Sequence, residues 1–402
     1  MIRTVLLACL SILLVATIIV RPDDAFQASL QGLTIWWNIV FPGLLPFLTL
    51  LELMLAFGAV HALGALLDPL MRRLFRLPGE AGLAIALGWT SGFPSGAEST
   101  AILRRGERVT QAQGQRLLTL AHMPSPLFML LVVGAGFSQR PELGVIIAAA
   151  VWMAAIITGL AHARFSKTTS ASPSNTSSEA PGEKRSIRDL LRLAAKAMTQ
   201  AKIRDGRTFG KALGDSVITS VYKLMAIGGF MMICSVLVRL LAPIIPDTIP
   251  SFVLPGLIES HIGAYAASAV SFPGGLAWNA AVIAAILSWG GVSALLQAGS
   301  AITGTDLSIR PLAVMRLLQA AVAFTCTILL WRPISNLTAY ILPSSTPAFQ
   351  LHGYTVSSPP PAIHVSDLHS LWPYTPVLFA AFGCVLLLLT LASISSSLRF
   401  MR

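Results

Sequence analysis

Thr90-Ser-Gly-Phe-Pro-Ser-Gly-Ala-Glu-Ser-Thr100 interrupts a run, begun near Gly79, that otherwise reads as a membrane helix. Gly92, Pro94 and Gly96 fall within five residues and are poor helix formers, and Pro94 lacks the N–H a helical turn would use. In a bilayer core, backbone freed in this way must find partners inside the protein or line a wet cavity. A break at that depth, followed by Ser95, Glu98 and Ser99, marks a candidate binding site. The simpler alternative is a proline kink packed against neighbouring helices, although a kink alone does not call for a carboxylate and several hydroxyls.

The rest of the chain agrees that the solvent is lipid. It has 402 residues, 54% hydrophobic and 11% charged, with a mean hydropathy of +0.73. That composition is an all-α polytopic membrane protein embedded in the bilayer. Cys9, Cys234, Cys326 and Cys384 all sit in apolar runs without metal-site spacing, so they read as packing residues. The net charge of +11 is concentrated in connectors, which is how a membrane protein marks its cytoplasmic side. No recognition motif accompanies it, so nucleic acid is not an expected partner. Walker A, His-Glu-x-x-His and nucleophile-elbow motifs are all missing from the sequence, so neither an enzyme, a cofactor nor a metal site is expected.

Residues 1–31 form an N-terminal unit whose run Thr4–Val20 reads as a retained first span, Pro22-Asp-Asp being a poor signal-peptidase site. Gly32–Gly58 is a second span, carrying Pro42, Pro46, Asn38 and Glu52, with Trp36 and Trp37 suited to an interface. Val60–Arg76 reads as an amphipathic connector. The broken segment Gly79–Leu103 follows, then Leu117–Gly136, interrupted at His122-Met-Pro-Ser-Pro126, then the plain span Glu142–Arg164. Ser166–Glu183 reads as a flexible linker, and Lys184–Lys211 as a basic amphipathic helix that lies on the inner leaflet or is simply solvated.

The same plan returns over 212–331: a span Ser216–Leu241, a run from Phe252 broken at Glu259-Ser-His-Ile-Gly263, a run Ala277–Thr303 broken at Gly290-Gly291, and a plain span Ile309–Trp331. A Pro- and Ser-rich loop, 332–376, then leads to a last span Val377–Ala392 within a C-terminal unit 377–402. This makes two repeats, 32–165 and 212–331, joined by a linker unit 166–211, and about eight spans in all. Two registers relate them. Gly88…Gly96 can be laid on Gly256…Gly263, or Leu77-Pro-Gly and Phe93-Pro on Leu254-Pro-Gly and Phe272-Pro.

From Arg164 to Lys211 the chain carries eleven Lys and Arg against four acids, so this connector is cytoplasmic, as are Arg72–Arg76 and Arg104–Arg116. The first broken segment would then enter and leave on one face, as a re-entrant hairpin. Ala242–Ser251 has no Lys or Arg, so the second would dip in from outside. Both chain termini come out cytoplasmic. Inverted repeats with discontinuous helices meeting near the midplane are a recurrent plan of secondary transporters.

Leu45-Pro-Phe-Leu with Glu52, Ser91-Gly-Phe-Pro-Ser-Gly-Ala97, Pro124-Ser-Pro-Leu-Phe128 and Gly256-Leu-Ile-Glu259 together resemble the nucleoside-recognition (Gate) domain membrane proteins, the sporulation type in particular. The resemblance covers about Gly32 to Trp331 and implies a transporter-like core and a role in endospore formation. Relatives often carry Lys where this chain has Glu98, and Asn-rich sequence in place of Ala121-His122-Met123, which bears on the ligand and the coupling ion.

The solute-binding candidates are Gly92, Pro94, Ser95, Gly96, Glu98 and Ser99 in the first break, and Glu259, Ser260 and His261 in its counterpart. His122 and Ser125 come from the second break of the first half; Gly290, Gly291, Ser293 and Gln297 come from the last. Glu259 stands out, because a carboxylate in an apolar run marks a pathway or a pair with His261 or an arginine. The expected activity is binding or movement of a small polar, nucleoside-like solute between the two halves. The alternative is a non-transporting component that assembles with partners during sporulation. The coupling ion and the oligomeric state, a homo-oligomer among the options, are left open.

Overall fold

Arg21 separates two helices, α1 (Ile2–Val20) and α2 (Pro22–Ile35), in the structure, a computed structural model that describes residues 2–165 and 187–341. The linker at 166–183 and the last span expected at Val377–Ala392 lie outside those residues. Pro22 occupies the first turn of α2, where its missing N–H costs nothing, and Asp23 and Asp24 complement the positive helix end. The second span therefore starts ten residues before the expected Gly32. It continues through a π-helical stretch, Trp36–Val40, into α3 (Phe41–Ala56), giving one apolar helix over Pro22–Ala56. Trp36 fixes the π stretch: its Nε1 donates to Leu224 O at 2.8 Å, and its indole packs on Gly228.

The amphipathic connector is α4 (Ala59–Leu70), closed by a π turn at Met71–Phe75. The first broken segment is a helical hairpin. Its arms, α5 (Ala81–Ser91) and α6 (Ser95–Arg105), pack on each other around a tip at 92–94. A capping box at Thr110 and Gln113 starts α7 (Gln111–Ala121). Residues 122–126 interrupt it, and the path resumes as the π-helical Phe128–Phe137 before α8 (Pro141–Phe165).

After 186, α9 (Ile187–Asp205) lays Leu190 and Ala194 inward and packs on α4, leaving Leu191, Met198 and Ile203 exposed. It is thus a docked helix with a second apolar side, rather than a merely solvated one. The long span α10 (Phe209–Leu241) follows. The second hairpin has arms α11 (Val253–Ile258) and α12 (Ser260–Ser268). Then come α13 (Gly275–Trp289) and α14 (Gly291–Ala301), a span broken at Gly290, and α15 (Ile309–Ile341). That last helix runs through Pro333, so the loop expected from Arg332 does not begin there.

The chain is all-α among the described residues, with five helices long and apolar enough to cross a membrane. The order span, hairpin, broken span, span occurs twice. The hairpins open on opposite faces. Arg105 at the end of α6 bonds the carbonyls of Ala301 and Thr303, so hairpin 1 opens where α14 ends. Hairpin 2 leads straight into the start of α13, at the other end of that 27-residue span.

Glycines close both hairpins. A Cβ on Gly88 would lie 3.0 Å from Gly96 Cα, and one on Gly263 would collide with Gly256 Cα. This pairs Gly88…Gly96 with Gly256…Gly263. In the other register Phe93-Pro94 is a hairpin tip, whereas Phe272-Pro273 lies in the loop after α12, so those positions are not equivalent. The halves meet along α8, whose Ile147, Val151 and Ala154 join the core and which packs on α13 and α15.

Candidate functional site

Each hairpin tip packs on the break of the helix that follows it. Gly92, at φ +80°, brings the first tip against Ser125, where a Cβ would lie 2.7 Å from the Ser125 N. In the second half Gly291, at φ +82°, lets the break lie against Ile258 and Glu259, with Ile258 O 2.7 Å from where its Cβ would be. Left-handed backbone and this closeness both require glycine.

The two tips face a common cavity of about 40 Å³. Ser91, Gly92 and Phe93 line it from hairpin 1, Ser125 and Phe128 from the α7 break, Glu259, Ser260 and His261 from hairpin 2, and Gln297 from α14. Leu44, Leu48, Ile227 and Phe230 supply an apolar wall from the two long spans. Both tips, the α7 break and α14 therefore meet at one place, and the polar groups there are hydroxyls, an amide, an imidazole and a carboxylate.

Glu259 is 2% exposed and is the N-cap of α12, accepting from Ile262 N at 2.8 Å and pairing with His261 Nδ1. The His261 ring stands edge-on to Phe128 with centroids 4.3 Å apart. Ser125 Oγ accepts from Phe128 N at 3.1 Å and so caps the resumed helix. By contrast α14 begins at Gly290 with no side-chain cap, leaving first-turn N–H groups for other acceptors, whereas at the start of α6 the Ser95 and Ala97 N–H groups turn back to Gly92 O at 3.0 Å and Pro94 O at 2.8 Å.

Other expected residues are close but do not line the cavity. His122 is buried, with Nε2 3.1 Å from Ala294 O and its ring 4.5 Å from that of Phe93. Pro94 is the N-cap of α6, Ser95 is buried, and Ser99 Oγ donates to Ser95 O at 2.8 Å. Gly96 abuts the Ala121 carbonyl, and Ser293 is buried in the first turn of α14. Gly290 touches Phe93.

Glu98 is exposed, away from the cavity. Ser95, Gly96, Ala97, Thr100 and Ala101 take the packed side of α6, so Glu98 shares the outer side with Ile102, one turn on. Glu52 is an interhelical partner, with Lys223 Nζ 2.5 Å from its carboxylate. No cluster of three His, Cys, Asp or Glu able to hold a metal occurs among the described residues.

Sequence reasoning missed two groups. Phe93 fills the first tip, and Arg316 on α15 lies behind it, 1% exposed, its Cζ 5.5 Å from the ring centroid. Ile309–Trp331 reads as a plain span, yet an arginine seven residues into an apolar run is the available signal.

Residues 38–159 match the family model described as nucleoside recognition. Over 361 residues, covering 83% of this chain and 84% of the relative, the sequence is 33% identical to the sporulation integral membrane protein YlbJ of Bacillus subtilis (strain 168). No solved structure gives a significant match.

Proposed function

The chain belongs to the nucleoside-recognition membrane proteins that include the sporulation integral membrane protein YlbJ, and from that membership we propose a sporulation-associated membrane protein with a secondary-transporter-like core. That core binds a small polar, nucleoside-like solute between its two halves, in a cell membrane, with both chain termini on the cytoplasmic side. The observation that carries the reading is the meeting of two oppositely inserted hairpin tips and the helix breaks at one polar cavity. Glu259, His261, Ser125 and Gln297 offer the charged, donor and acceptor groups a polar solute needs. Rocking one hairpin set against the other would expose the site to alternate faces.

The cavity has room for about three water-sized groups, so a nucleoside-sized solute would enter only after the tips separate. That small volume, together with the engagement of Glu259 as a helix cap, favours the second reading: a non-transporting membrane component needed for endospore formation. A thermal-shift screen of purified full-length protein against nucleosides and other polar solutes separates the two, because binding to the folded state raises its stability by mass action. Protection by a solute, lost in Glu259→Gln, supports the binding core. Protection by none of them, with sporulation lost on deletion of the gene, supports the assembly role.

A further inference from the structure

Arg316 lies seven residues into α15, about 10 Å along its axis, inside the apolar span Ile309–Asn336. Its guanidinium is buried among protein atoms, unlike that of an arginine that snorkels to solvent. Among the described residues only Nη1 is engaged, donating to Ser288 O at 3.2 Å and Gln319 Oε1 at 2.9 Å. Among the described residues Nε and Nη2 are buried without a hydrogen-bond partner, and no acidic side chain pairs with the charge. Gln319 Nε2, Ser288 Oγ and His122 Nδ1 are likewise buried and unpartnered. A desolvated cation in a span, among spare donors, is a costly arrangement without a counter-charge.

Nε and Nη2 form one edge of the guanidinium, and elsewhere in this protein that edge has a consistent use. Arg104 holds the two oxygens of Asp306 with it, at 2.7 and 2.8 Å. Arg207 holds Asp205 in the same way, at 3.0 and 2.6 Å, and Arg108 holds Glu80. This fork matches a planar or tetrahedral oxyanion, whereas a lysine offers only a point charge.

We infer that Arg316 is an anion-binding residue whose Nε/Nη2 edge takes two oxygens of a carboxylate or phosphate group on the bound solute. Gln319 and Ser288 stand beside it as further donors. The inference rests on the solute-binding reading and narrows it to solutes that carry such a group. Phe93 links this site to the cavity, since it lines the cavity and also lies against the guanidinium. Displacement of that one ring at the tip of hairpin 1 joins the charge to the polar wall formed by Glu259 and Gln297.

The test uses the full-length protein in detergent at pH 7, with unfolding followed in sodium acetate, sodium phosphate and sodium chloride at equal ionic strength, and separately with uridine. Acetate or phosphate should raise the melting temperature above that in chloride. Arg316→Lys keeps the charge but loses the fork and should weaken that protection at least tenfold in concentration. Gln319→Ala should weaken it less, and serves if Arg316→Lys does not fold. Wild-type protein that responds to acetate and phosphate no more than to chloride overturns the inference, as does undiminished protection in Arg316→Lys. Uridine protection without an oxyanion response would keep the solute site and remove Arg316 as its reader. An oxyanion response without uridine protection would keep Arg316 and remove nucleoside recognition.

Discussion

Arg104 grips Asp306 across 202 residues, Nε to Oδ1 at 2.7 Å and Nη2 to Oδ2 at 2.8 Å. The pair ties the open end of hairpin 1 to the turn between α14 and α15, and Arg105 adds bonds to Ala301 and Thr303. The hairpin is thus anchored to the opposite half at its mouth, while its tip is held by packing.

The Asp306 carboxyl is held below its usual range, chiefly by the hydrogen bonds from Arg104. Its contribution to stability is therefore present above the unfolded value near pH 4 and is lost as pH falls through the lowered one. Because Asp306 is 45% exposed, Asp306→Asn should cost only about 0.2–1 kcal/mol at neutral pH. The check is melting temperature against pH. The gap between wild type and variant should close on acidification and narrow in high salt.

Glu259→Gln keeps volume and part of the hydrogen bonding while removing the charge. Weakening the N-cap of α12 should cost about 1 kcal/mol of stability. If the carboxylate meets the solute, affinity should fall roughly 10- to 150-fold, the value of one charge-assisted bond of about 1.5–3 kcal/mol. Ligand titration beside a melting curve separates these effects. Unchanged affinity in a folded variant removes Glu259 from the site.

The hairpin glycines give a steric test. Gly96→Val drives side-chain atoms into the Ala121 carbonyl, and Gly263→Val into Gly256. Each should destabilise by about 1–3 kcal/mol or more, since backbone cannot yield as a flexible side chain would. Gly229→Ala on α10 meets nothing within 4 Å and should be neutral, or stabilising by up to about 1 kcal/mol from helix propensity. Equal effects at all three positions would contradict close packing of the arms.

Charge asymmetry sets the expected topology. In a variant lacking the native cysteines, Asn175→Cys and Glu107→Cys should resist an impermeant thiol reagent in intact cells. Asp247→Cys and Gln350→Cys should react. Labelling of Asn175→Cys from outside would reverse the assignment and put both termini outside.

Much of this fold is legible in the residues themselves. Gly92-Phe-Pro-Ser-Gly96 and Glu259-Ser-His-Ile-Gly263 announce helix breaks, because glycine and proline act locally and a broken backbone in lipid has few resolutions. The site is only partly legible. Gln297, Ser125 and His261 do reach the cavity, but Glu98 turns away, since which side of α6 packs depends on neighbours far along the chain. Phe93 looks apolar and inert until its ring is found between His122 and Arg316. Pairs such as Glu52–Lys223 and Trp36–Leu224 join positions 171 and 188 residues apart, and no periodicity encodes them. Pro22-Asp-Asp reads as a polar flank, which hides the start of the second span, although it is also a good helix N-terminus.

The size of the cavity fixes how any affinity measured on this protein must be read. With room for only a few water-sized groups between the tips, about 40 Å³, a larger solute would have to bind a form in which they have separated. Apparent dissociation constants then equal the intrinsic value divided by the fraction of molecules in that open form. If one molecule in a hundred is open, a tight site looks about a hundredfold weaker, near 2.7 kcal/mol, without any change in its contacts. A substitution that loosens a tip, such as Phe93→Ala, can therefore tighten apparent binding while removing a contact. Weak binding by the wild-type protein would measure the rarity of the open state as much as the quality of the site.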